Sequence, residues 1–77
     1  MTSQDRAAYG AGNTAGYEAG RGMDDTRLQV ERYELWNQRI KINGMAHAAG
    51  YGDSKVPYYN GYGEGIETAT RERGLMD

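Results

Sequence analysis

Apolar residues along this chain fall into an extended pattern only in its middle. Stepping about 100° per residue from position 28, Leu28, Leu35 and Ile42, continued by Met45 or Ala46, line one side of a helix. Val30, Tyr33, Trp36 and Ile40 line roughly the opposite side. The residues between them, among them Arg27, Gln29, Glu31, Arg32, Glu34, Gln38, Arg39 and Lys41, are good helix formers. Asp24 suits the N-cap, Met23 and Leu28 are placed for a hydrophobic staple, and Gly44 suits a left-handed stop. The pattern predicts a long central helix over about 24–43, inside a segment 23–49. A lone helix on a small core needs one apolar stripe, so two predict neighbours on both sides, either the chain's own helices or other chains.

Either side of this helix the pattern changes character. Up to residue 22 the large apolar residues give way to small ones: Ala7-Ala8, Ala11-Gly12, Ala15-Gly16 and Ala19-Gly20 recur every four positions. Residues four apart share a helix face, so Gly12, Gly16 and Gly20 form a bare ridge. The spacing predicts a helix over about 5–20, capped by Thr2 or Ser3 with Asp5 in its first turn. Glycine costs about 1 kcal/mol relative to alanine inside a helix. The ridge therefore predicts a helix only if another backbone packs closely against it, as in small-xxx-small contacts; the alternative is a flexible Ala/Gly arm.

A rival reading applies to 40–48, where Ile40-Lys41-Ile42 alternates and Asn43-Gly44 is a hairpin signal. The return strand Met45-Ala46-His47-Ala48-Ala49 lacks β-branched residues, which favours helix. From 50 to 63 Gly, Pro, Asn and Asp are dense enough to predict an extended loop. Tyr51, Tyr58, Tyr59 and Tyr62 would make that loop an adhesive strap, since tyrosine buries much area while keeping a polar tip. A short helix over about 65–73 follows, with Glu67 four before Arg71, and Gly74-Leu75 suits a C-terminal cap. The sequence thus predicts a mainly α fold: a small, extended chain, one unit from 1 to 77, with little independent core.

Composition strengthens that expectation. Hydrophobic residues make up 38% of the 77, but Ala and Tyr supply much of this, there is no Phe, and twelve glycines raise the ordering cost. A chain this short seldom gains more than about 3–5 kcal/mol from a single core. With no Cys, disulfides and thiolate metal sites are excluded. The net charge is −2, and the nine Lys and Arg are scattered rather than blocked, which argues against nucleic acid. Stacking on single-stranded bases stays a minor alternative, because the strap pairs its tyrosines with only Lys55 and Asp53. No stretch approaches a membrane span and the first residues do not read as a signal peptide. The expected location is therefore cytoplasmic or within a virus particle, with no membrane partner.

Chemistry-bearing groups are few. His47 is the only histidine, Asp24-Asp25 is explained by helix capping, and Gly10-Ala11-Gly12-Asn13-Thr14-Ala15-Gly16 misses the dinucleotide spacing by one. Asp53-Ser54-Lys55 has no base beside it in sequence. The sequence predicts no catalytic residue, metal, cofactor or small-molecule ligand. What remains is contact. Gly12, Gly16, Gly20, the two stripes (Leu28, Leu35, Ile42; Val30, Tyr33, Trp36, Ile40) and Tyr51, Tyr58, Tyr59, Tyr62 are the expected partner-binding residues. The expected function is non-enzymatic: a structural or assembly protein packing in many copies against subunits of a larger complex. In style alone the chain resembles minor components of bacteriophage particles, such as capsid cement or head–tail parts. The alternative is a small inhibitor or regulatory protein binding a host enzyme through Trp36, Tyr33 and the strap.

Overall fold

A computed structural model describes residues 2–76. Helix α1 (Ser3–Arg21) is followed by α2 (Asp25–Tyr33), a 3₁₀ turn (Leu35–Gln38), α3 (Arg39–Ala48), a short 3₁₀ turn (Gly52–Ser54) and α4 (Lys55–Glu72). No strand occurs among the described residues.

The predicted N-terminal helix is present and slightly longer than expected. Thr2 caps it, its Oγ1 accepting from the Asp5 amide at 3.0 Å. Asp24 caps α2 in the same way, accepting from the Arg27 amide at 2.8 Å. The central helical stretch is also present and runs on to Ala48, with a local tightening after Tyr33 where Glu34 leaves helical geometry. The hairpin alternative at 40–48 is excluded by α3. Gly44 does not stop the helix but lies inside α3 with open space around it. The stop falls at Gly50, whose φ of +89° lets the Tyr51 and Gly50 amides reach back to the Ala46 and His47 carbonyls. Gly74, at φ +71°, ends α4 by the same device, with Leu75 donating to Thr70 and Gly74 to Arg71.

The largest departure from the sequence reading is the Tyr/Gly segment. Residues 50–63 are not a loop: α4 begins at Lys55 and absorbs the expected short C-terminal helix. Pro57 lies in the first turn of α4, where its missing amide hydrogen has no intrahelical partner to lose. Gly61 and Gly65 are tolerated because they lie where another backbone touches. A Cβ on Gly61 would come within 2.9 Å of the Tyr9 carbonyl carbon, and one on Gly65 within 3.0 Å of the Gly16 carbonyl carbon. Reciprocally, Cβ atoms on Gly12 and Gly16 would come within 2.9 Å of the Tyr58 and Tyr62 carbonyl carbons.

Contacts 12 with 58 and 16 with 62 advance together, so α1 and α4 are parallel and interlock through bare backbone. Such close approach adds dispersion and Cα–H···O contacts that larger side chains prevent. The connecting stretch from α2 to α3 returns antiparallel to both and lies against α4. At one end Gly20 meets Leu28, Ile66 and Ala69; at the other, Ser54 bonds Asp5.

Between these layers sits a small core of Ala8, Leu28, Ile42, Ala46, Tyr58, Tyr62, Ile66 and Ala69, with Leu35, Tyr51, Tyr59 and others packed at its edge. The expectation of an extended chain is corrected accordingly. The radius of gyration is 11.9 Å, close to the value of about 11–12 Å for a compact chain of this length. Three polar contacts pin the ends. Ser54 Oγ donates to Asp5 Oδ1 at 2.7 Å, and the Tyr17 hydroxyl donates to Glu72 Oε1 at 2.6 Å. The Arg73 guanidinium donates to the carbonyls of Gly20, Arg21 and Met23 at the end of α1 and pairs with Asp25 at 3.3 Å.

Candidate interaction surface

The two stripes of the central stretch meet different fates. Leu28 and Ile42 are fully buried and Leu35 is half-buried against the core. The opposite stripe is left in solvent: Val30 is 46% exposed, Tyr33 72%, Trp36 69% and Ile40 84%. The division follows from geometry, because α2, the 3₁₀ turn and α3 can turn only one side toward α4.

The other expected contact residues are used inside the molecule. Gly12, Gly16 and Gly20 are covered by α4 and its neighbours, which leaves no room there for a partner helix. Tyr58 and Tyr62 are core residues, Tyr51 stacks on Tyr58 with ring centroids 6.4 Å apart, and Tyr59 lies at the core edge. Burial raises the Tyr58 and Tyr62 hydroxyls above the ordinary phenol range. The Tyr17 hydroxyl is raised by its hydrogen bond to Glu72. Asp5 is lowered by the Ser54 hydroxyl it accepts from.

The exposed stripe has a charged margin. Between 27 and 41 there are four cations, Arg27, Arg32, Arg39 and Lys41, against two anions, Glu31 and Glu34. The rest of the chain carries five cations against nine anions. Glu31 is only 5% exposed, with its carboxylate 3.8 Å from Arg27 Nε, so the outward charge of the stripe is more basic than this count. The Arg32 guanidinium lies over the Tyr33 ring, 5.1 Å from its centroid.

Two clefts flank the stripe. One, of about 390 Å³, includes Asp24, Arg27, Val30, Glu31, Glu34 and Asn37 in its wall. The other, of about 250 Å³, runs between the end of α2 and α4. Leu35, Tyr59, Gly63 and Ile66 give it apolar walls, and Arg32, Glu64 and Glu67 give it charge. A Cβ on Gly63 would come within 3.0 Å of Leu35 Cδ2, so glycine there keeps the cleft open.

Among the described residues, no group of three or more His, Asp or Glu is placed to hold a metal ion. No helix among them is long and apolar enough to cross a membrane. Sequence reasoning missed three contributors: the Gly61, Gly65, Ala69 repeat that answers the ridge on α1, the Arg73 clamp, and the Glu64/Glu67 cleft. The first carried a readable signal, the same spacing of four. Comparison of the chain with protein family models, with curated proteins and with solved structures gives no match.

Proposed function

We propose that this chain is a non-enzymatic assembly protein that docks onto protein subunits through the Val30, Tyr33, Trp36 and Ile40 stripe. One observation carries the reading. A chain short of large apolar residues leaves its only Trp, together with Tyr33 and Ile40, more than two-thirds exposed on a single face. Each forgoes roughly 1.5–3 kcal/mol of burial, and the side chains lie side by side rather than scattered singly over the surface. Trp, Tyr and Arg are also the residue types that dominate binding hot spots, and Arg27, Arg32 and Arg39 border this stripe.

The test is site-specific crosslinking in the cells that make the protein. A photoreactive aromatic residue at position 36 is expected to give discrete adducts with another protein. The same residue at Thr14, exposed on the outer side of α1, is expected to give none. Absence of an adduct at position 36, or equal labelling from both positions, would overturn the reading.

A further inference from the structure

The cleft between α2 and α4 lies immediately beside the exposed stripe. Around the helix, Leu35 faces the cleft, Arg32 stands on its margin and Trp36 comes next. The apolar stripe and an apolar-walled recess are therefore neighbours on one surface. That arrangement permits an isologous contact, in which each of two copies offers the stripe to the recess of the other.

The charges are complementary for such a contact. Arg39 borders the stripe, while Glu64 and Glu67 stand in the wall of the recess, where Arg32 is the one cation. Among the described residues, Arg39, Glu64 and Glu67 have no ion-pair partner within the chain. The recess of about 250 Å³ is of the size of one large side chain.

We propose that the stripe is occupied by a second copy of this chain. The two copies form a two-fold dimer in which Trp36 of each enters the α2/α4 cleft of the other, with Arg39 reaching Glu64 and Glu67. The proposal rests on the stripe being a docking face and names its first occupant. Tyr and Trp each carry roughly 150–250 Å², so Tyr33 and Trp36 at 72% and 69% exposure offer about 300 Å² between them. With Ile40, Val30 and the charged margin, two copies bury about 1,000–1,200 Å² in all, the lower limit for a specific interface. An interface at that limit falls in the weak, transient class.

Analytical ultracentrifugation of the purified full chain tests this between about 1 and 500 µM, a range in which a weak dimer forms and dissociates. A reversible monomer–dimer equilibrium is expected. Trp36→Ala, at an exposed position, is expected to weaken it about 30-fold or more while leaving the circular dichroism spectrum unchanged. Glu64→Lys and Arg39→Glu are each expected to weaken it, and the two together to recover most of the loss, because the ion pair re-forms with its polarity reversed. A monomer throughout the range overturns the proposal, as does a dimer indifferent to Trp36→Ala or oligomers that grow beyond two. A monomer that still gives adducts with another protein from position 36 removes the second copy alone and leaves the docking reading standing. Self-adducts alone, from a chain that dimerises, do the reverse.

Discussion

Replacing Gly16 by alanine separates two opposed effects of the same methyl group. In an isolated helix the change stabilises by about 1 kcal/mol through propensity. In this molecule the new Cβ would come within 2.9 Å of both the carbonyl carbon and the Cα of Tyr62, and backbone cannot swing aside as a flexible side chain does. The helices must separate by several tenths of an ångström along the whole contact, weakening the reciprocal approach at Gly61 and Gly65. Overpacking of a tight core costs about 1–3 kcal/mol. Set against the propensity gain, the net expectation for Gly16→Ala is a loss of up to about 2 kcal/mol. Gly10 and Gly44 supply internal controls, since both are helical, exposed and free of any atom within 4 Å of an added Cβ. Gly10→Ala and Gly44→Ala are expected to stabilise by about 0.5–1 kcal/mol each. In a domain of this size 1 kcal/mol moves Tm by roughly 4–8 °C, so thermal unfolding followed by circular dichroism resolves the opposite signs. If Gly16→Ala raises Tm as Gly10→Ala does, the bare-backbone contact between α1 and α4 is refuted.

Three further outcomes follow from the contacts that pin the helix ends. Arg73→Met keeps the aliphatic stem but leaves the carbonyls of Gly20, Arg21 and Met23 without their donor; with the guanidinium partly exposed, a loss of about 1–2 kcal/mol is expected in urea unfolding. Asp5 is held below its usual value of 3.8 by Ser54, so its contribution is present above that pH and is lost as pH falls through the lower folded value; Ser54→Ala is expected to flatten the acid limb of a Tm-against-pH curve. Tyr17, Tyr58 and Tyr62 are raised above 10.0, so their contribution is complete below pH 10.0 and is lost as pH rises through the folded values. Stability should fall above that pH, and Tyr17→Phe should make the fall shallower.

Much of the fold is legible in residues with local roles. Asp24 and Thr2 cap, Gly74 terminates, and the Leu28, Leu35, Ile42 stripe faces the core, because each depends on neighbours within one or two turns. The segment 50–63 was not legible in that way. Its glycines read as breakers when taken one at a time, whereas Gly61 and Gly65 are helical because α1 presents Tyr9 and Asn13 to them from about fifty residues away. Gly44 errs in the other direction: Asn43-Gly44 is a strong local signal, yet α3 runs through it and ends where Gly50 adopts a positive φ. Of the candidate surface, the Val30, Tyr33, Trp36, Ile40 stripe was readable from periodicity alone. The cleft beside it was not, since Leu35 and Ile66 come together only in the folded chain.

The glycine pairing also accounts for why an apolar stripe is left over. Two ordinary helices joined by large side chains stand 8–10 Å apart, and the gap between them must be filled with residues this chain has in short supply. Packing α1 on α4 through Gly12, Gly16, Gly61 and Gly65 joins the two longest helices with few side chains between them. One stripe of the returning stretch then completes the core, where Leu28 and Ile42 are covered. A third layer would be needed to cover Val30, Tyr33, Trp36 and Ile40, and the described chain has no element left to supply it. Under the proposed reading, that layer is another molecule.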